Sequence, residues 1–316
     1  MRRMTDFEKL LYKTVEHNSL LFLEDGVKRL ISCGHKGITD TIVLSCTNIQ
    51  ISLELAMRAY LLRNKGLDSI LEKDQRKKYT DEEKEKLYLA NKLKVIEFEA
   101  MKNQLKGKDV SVFKKEDFRI IDDFQTYRNR LVHFCCSLKE NEIAELREKL
   151  MYYVVRVVLC LLYDNYEDKR PAEYFEELLG YDFYRQLWND RGYIRAIEQL
   201  AEERTKDVGL CPICSRYAYS IDEEFCYFCN IMPWDDEWGR TDCIECGGKN
   251  SVIYDRLNIH LGGNHHSMPG MCQLCETHTH IFECPICGQT HWLYIDNEEG
   301  MCHDGHCATK GVDYAD

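Results

Sequence analysis

Apolar residues recur every three or four positions along most of the first 165 residues, the period of an amphipathic helix face. The pattern predicts a first helix over residues 6–32, ending near Gly34, and a second from the capping pair Thr39 and Asp40 to Gly66. Along the second, Ile42, Cys46, Ile49, Leu53, Met57 and Tyr60 step down one face. Residues 72–86 are dense in Lys and Glu and predict a solvated excursion. The helical period resumes over 87–105 and stops at Gly107. Further helices are expected over 116–132 and 140–165, with a break at 135–137. The later one carries a stripe of Ile143, Leu146, Leu150, Tyr153 or Val154, Val157 and Leu161. Two long helices across a short break form an antiparallel pair. After Pro171 come shorter, aromatic-rich helices over 172–179, 181–189 and 193–203. The expected fold is mainly α: a helical bundle over 1–166 and a helical connector over 167–207.

Charge separates the rest of the chain from this bundle. Residues 1–207 hold 37 Lys and Arg against 37 Asp and Glu, whereas residues 208–316 hold 5 against 17. All of the net charge of −12 therefore lies in the C-terminal third, a poor general surface for phosphate backbones. Residues 1–10 are charged and lack a leader-like apolar core. The most apolar run, MYYVVRVVLCLLY at 151–163, is too short to span a bilayer and carries Arg156. The expectation is a soluble, cytoplasmic protein with no membrane partner.

Cysteine follows the same division, with 12 of 17 lying after Cys160 in close pairs. The pairs are Cys211/Cys214, Cys226/Cys229, Cys243/Cys246, Cys272/Cys275, Cys284/Cys287 and Cys302/Cys307. A C-x2-C knuckle presents two thiolates to one cation, and two knuckles complete a tetrahedral zinc site. Taken in order, the pairs make three four-cysteine sites, although interleaved binding between neighbours is also open. CPICG followed by the strand-like GQTHWLYI at 288–295 is the pattern of a zinc ribbon. Residues 208–316 are thus expected to form β-rich, metal-stabilised modules with three structural Zn2+ ions and no open catalytic position. The wider last pair encloses His303 and His306, either of which can replace a cysteine. His265, His266, His278 and His280 surround the second site and are assigned no metal role. Trp234 and Trp238 are expected to pack between ribbons.

The stretch YRNRLVHF, residues 127–134, holds a different chemistry. On a helix, Asn129 and His133 share a face at i and i+4, and the long Arg128 side chain reaches around to them. Cutting RNA without a metal needs a base for the 2′-OH, an acid for the leaving 5′-oxygen and a cation for the phosphorane. Histidine suits the proton transfers near neutral pH, and arginine holds phosphate with a permanent charge. A bare Arg-x4-His is expected about 0.7 times by chance in a chain of this composition, but about 0.03 times when Asn must follow the Arg.

These residues resemble the HEPN family (higher eukaryotes and prokaryotes nucleotide-binding), a helical bundle whose ribonucleases carry Arg-x4-6-His, often with Asn after the Arg. SLELAMRAYLL at 52–62 is similar to the family's early Glu-Leu-x-x-Lys helix, with Arg58 in the Lys place and Glu54 one turn before it. The resemblance covers residues 6–166. It implies a metal-independent endoribonuclease with Arg128, Asn129 and His133 catalytic and no cofactor for catalysis. It also implies a homodimer whose two motifs meet in one composite site, and an RNA-cutting toxin or antiviral effector. Arg130 is an extra cation for substrate phosphate, and Glu54 and Arg58, at i and i+4, would either support the site or form a helix-stabilising ion pair. The acidic ribbons would then sense a trigger or bind a protein partner. The alternative is a catalytically silent adaptor that presents its ribbons to another protein.

Overall fold

A computed structural model describes residues 3–32, 39–76, 78–106, 115–134, 138–163, 171–229, 238–256, 268–283 and 290–293. The chain is mostly helical, with small antiparallel sheets near the C-terminus. It divides into two compact units, Met1–Ala196 and Ile197–Asp316. Among the described residues, no helix is long and apolar enough to cross a membrane.

The first unit is built around two 27-residue helices, α1 (Asp6–Ser32) and α2 (Thr39–Lys65). They run antiparallel, since Ser19 meets Ser52, Gly26 meets Ile49, and Tyr12 meets Arg63. Small residues let the backbones approach closely: Ser19 Oγ donates to the Ser52 carbonyl at 2.8 Å, and a Cβ on Gly26 would lie 2.9 Å from Ile49 Cγ1. All six residues of the expected α2 stripe are buried. A 3-10 turn (Leu67–Ile70) follows, then α3 (Lys73–Arg76), α4 (Asp81–Leu89), α5 (Phe98–Leu105) and α6 (Lys115–Phe134). After them come α7 (Glu140–Glu145), a π-helical turn (Leu146–Met151) and α8 (Tyr152–Leu162). Helices α9 (Pro171–Leu179), α10 (Tyr181–Asn189) and α11 (Arg191–Arg204) complete the helical part, and the boundary between units falls within α11.

Helix α8 is the spine. Tyr152 to Leu159 are all buried, Arg156 among them, so the helix is covered on every side by other parts of its unit. Its C-terminal carbonyls are satisfied from α2: Arg63, 5% exposed, donates to the carbonyls of Leu161, Leu162 and Tyr163 at 3.3, 3.0 and 2.9 Å. A cation at a helix C-terminus also complements the dipole.

Two expected helices are interrupted. The 87–105 segment leaves the helix at Ala90, and Asn91 takes φ 53°, a left-handed turn that asparagine tolerates. The chain then bridges Val95 to Leu71, with the Ile96 amide donating to the Ile70 carbonyl at 2.9 Å, before α5 begins. The backbone bonds made by that bridge replace those a continuous helix would make. The 140–165 helix is likewise divided, by the π turn at Leu146–Met151. Nor is 72–86 wholly solvated. Lys84 is 5% exposed and paired with Asp68 and Asp81, and buried Gln75 accepts from the Lys94 amide at 2.7 Å. A capping box between Thr80 and Glu83 starts α4.

In the second unit, strands β1 (Val208–Gly209), β2 (Tyr219–Ser220) and β3 (Phe225–Cys226) form one antiparallel sheet. A second sheet is a meander of β4 (Trp238–Thr241), β5 (Val252–Asp255), β6 (Met268–Cys272), β7 (His278–Glu283) and β8 (Thr290–Leu293). Val252, Tyr254, Met268 and Ile281 pack with Cys243 and Cys272 as its core. Gly239 lies so close under the Tyr254 ring that a Cβ there would fall 1.9 Å from Cζ. Trp238 is buried at the start of β4.

Candidate metal centres and a helical site

The cysteine pairs come together in sequence order. Cys211, Cys214, Cys226 and Cys229 form one cluster and Cys243, Cys246, Cys272 and Cys275 another, with all four sulfurs of each within 4.8 Å of one another. Each knuckle is held by local backbone geometry. In three of them, the amide after the second cysteine returns to the first cysteine's carbonyl: Ser215 to Cys211 at 3.0 Å, Gly247 to Cys243 at 2.9 Å, Glu276 to Cys272 at 3.0 Å. The first cysteine's amide then donates one residue further on, to Arg216, Gly248 or Thr277. This turn requires left-handed backbone at Ser215, Gly247 and Glu276, with φ of 52°, 71° and 61°. Only one of the three is glycine, so sequence reasoning missed the pattern beyond the C-x2-C itself.

The donor sets fit a tetrahedral thiophilic cation. Bonds of about 2.3 Å from zinc to four sulfurs imply S···S edges of about 3.8 Å. The observed edges are 3.7 Å for Cys211–Cys229 and Cys214–Cys226, 3.6 Å for Cys243–Cys275 and 3.7 Å for Cys246–Cys272. Disulfide sulfurs would stand at about 2.05 Å. Burial pushes the Cys243 thiol up to about 12, while the hydroxyl and amide of Thr277 hold Cys275 down at about 6. Burial and neighbouring sulfurs also drive Cys226 and Cys229 upward. A bound dication lets all four ionise together.

Neither His278 nor His280, both exposed on β7, belongs to a cluster. Cys284, Cys287, Cys302 and Cys307 lie outside the described residues, as do His265, His266, His303, His306 and Trp234.

The second candidate site is the end of α6. This helix runs back along α2. Asp122 near its start pairs with Lys102 of α5, which follows the end of α2, where Lys65 donates to the Gln104 carbonyl. Near its end, Arg128 approaches Cys46, close to the start of α2; burial pushes the Cys46 thiol up and the Arg128 charge opposes it. Half-buried Arg128 donates from Nη1 to Oδ1 of exposed Asn129 at 2.9 Å. Arg130 pairs with Glu142 of α7 at 3.0 Å, its guanidinium 5.6 Å from the centre of the Tyr127 ring. His133 is in the last turn of α6, and its side chain lies outside the described residues. Glu54 and Arg58 stand on α2 about 12–18 Å along the axis from Cys46, at 1.5 Å per residue. Glu54 accepts from Gln50 at 3.3 Å. Burial lowers the Arg58 pKa, and Glu54 offsets part of that.

No protein-family model, curated protein or solved structure matches this chain.

Proposed function

We propose that the helical unit is a metal-independent endoribonuclease of the HEPN kind, and that the metal bound by both described cysteine clusters is zinc. The observation that carries the nuclease reading is the unbroken course of α6 through Phe134, which sets Asn129 and His133 on one face with Arg128 beside Asn129. In this reading His133 moves protons between the 2′-OH and the 5′-oxygen. Arg128 stabilises the charge that develops on phosphorus, and Asn129 orients one of the two. Such a site is completed by a second copy of the chain, and a toxin or antiviral role in the cytoplasm follows from that activity. No step of the cleavage passes through the metal clusters, which stabilise the second unit.

The adaptor reading has one observation in its favour. Arg128 and Arg130 already spend hydrogen bonds on Asn129 and Glu142 of the same chain. A direct test incubates the metal-loaded protein with mixed-sequence RNA and compares wild type with Arg128→Ala and His133→Ala. The nuclease reading expects fragments ending in 2′,3′-cyclic phosphate from wild type and at least a hundredfold less from either variant. Intact RNA in every arm would leave the adaptor.

A further inference from the structure

The two cysteine clusters share donors and edge lengths but differ in their surroundings. At the first, Pro212, Tyr227 and Phe228, which stand between the paired cysteines, are buried, as are Cys211, Cys226 and Cys229. Ile213 and Cys214 there are half-buried; at the second, Gln273 is buried but Ile244 and Leu274 are 48% and 57% exposed, and Cys246 and Cys275 are exposed with them. Within that second cluster the sulfurs are unequal too. Cys272 is buried, accepts from the amides of Leu274 and Cys275 at 3.4 and 3.5 Å, and touches Ser251 Oγ at 3.3 Å. Cys275 is open to solvent with the Thr277 hydroxyl at 3.2 Å. Burial blocks an approaching electrophile, so of the four sulfurs those of Cys246 and Cys275 are open to attack, and of these two Cys275 has a hydroxyl beside it.

We propose that the second cluster is a peroxide-reactive thiol site, entered at Cys275 and closed as a disulfide with Cys243, whose Sγ is 3.6 Å away. The Cys275 thiolate attacks one peroxide oxygen. The O–O bond breaks, hydroxide leaves, and Cys275 becomes a sulfenic acid. The Cys243 thiolate then attacks the Cys275 sulfur. An S–S bond forms, the S–O bond breaks, and a second hydroxide leaves. Two electrons pass from two thiolates to one peroxide, and two protons from solvent turn the hydroxides into water. A site that has lost two of its four thiolates no longer holds its cation. The change reaches the first sheet through two contacts of the same knuckle. Tyr217 donates to Glu276 at 2.6 Å, and the Gln273 carbonyl would lie 2.8 Å from a Cβ on Gly209. This inference does not depend on the nuclease reading.

The test uses the full, metal-loaded wild-type chain and dilute hydrogen peroxide. Remaining thiols are blocked with one isotopic form of N-ethylmaleimide, and reversibly oxidised ones with the other after reduction. Peptide mass spectrometry then follows each cysteine over time. The expected result is oxidation of Cys275 and Cys243 about tenfold or more faster than Cys211, Cys226 and Cys229, with a Cys243–Cys275 disulfide peptide. Peptides carrying Cys284, Cys287, Cys302 and Cys307 are scored separately and enter neither side. Equal rates in the two clusters would overturn the proposal, as would oxidation that starts at Cys246 and spares Cys275. So would no oxidation under conditions that oxidise free glutathione.

Discussion

In the first unit, a fully buried helix, α8, is wrapped by others, and close helix contact at Ser19, Gly26 and Ser52 draws α1 onto α2. In the second, the strands β1, β2 and β3 are two residues long, and the first cysteine cluster brings the β1–β2 connection against β3 and the turn after it. Strands so short cannot bury enough apolar surface to offset the entropy of ordering them. Ligation would supplement burial there: a cation bound by the four sulfurs would tie the Cys211–Cys214 turn to the Cys226–Cys229 turn. The first unit rests on packing, whereas the second has a small core and two four-cysteine clusters suited to a metal, so each unit should be most sensitive to a treatment that spares the other.

Removing metal should have the largest effect. Binding of a structural zinc is itself folding free energy, of order 10 kcal/mol per ion, so strong chelation should dissolve both sheets. Hydrogen exchange should show β1–β8 losing protection while α1, α2 and α8 keep theirs; protection retained in β5 and β6 without metal would break the comparison. The converse perturbation is Arg63→Met, which strips three carbonyls at the end of α8 of their donor. The helical transition in urea should lose about 3 kcal/mol with metal content unchanged. Gly26→Val forces a side chain toward Ile49 and should cost about 2 kcal/mol in the same transition. Smallest is Thr80→Ala, which removes half of the capping box of α4 for about 1 kcal/mol. A loss of metal in any of these three variants would mean that packing and ligation are not separate supports.

The helices were legible because their apolar faces obey one period. The break after α4 was not, because apolar residues continue through Leu93, Val95 and Ile96 and no Gly or Pro marks the stop. What ends the helix is a pairing between Val95 and Leu71, 24 positions apart, which no local pattern reports. The π turn is hidden for the same reason: Leu146 and Leu150 fit the stripe either way. The metal clusters could be read directly, since C-x2-C spacing imposes the chemistry. Their unequal exposure could not, because it depends on what packs above Tyr227 and Phe228 and not above Ile244 and Leu274. At the end of α6, the spacing of Arg128, Asn129 and His133 is local and legible. The partner that Arg130 takes, Glu142, lies on the next helix and is not.

The proposal that the helical unit cuts RNA without a metal is tested by following RNA cleavage in EDTA, at times that leave any metal in the cysteine clusters bound, with wild type and His133→Ala at equal metal content. Wild type should form 2′,3′-cyclic phosphate ends at an unchanged rate in EDTA, and the variant should form none. Cleavage that stops with EDTA while the cysteine clusters stay loaded, or that survives in His133→Ala, would contradict it.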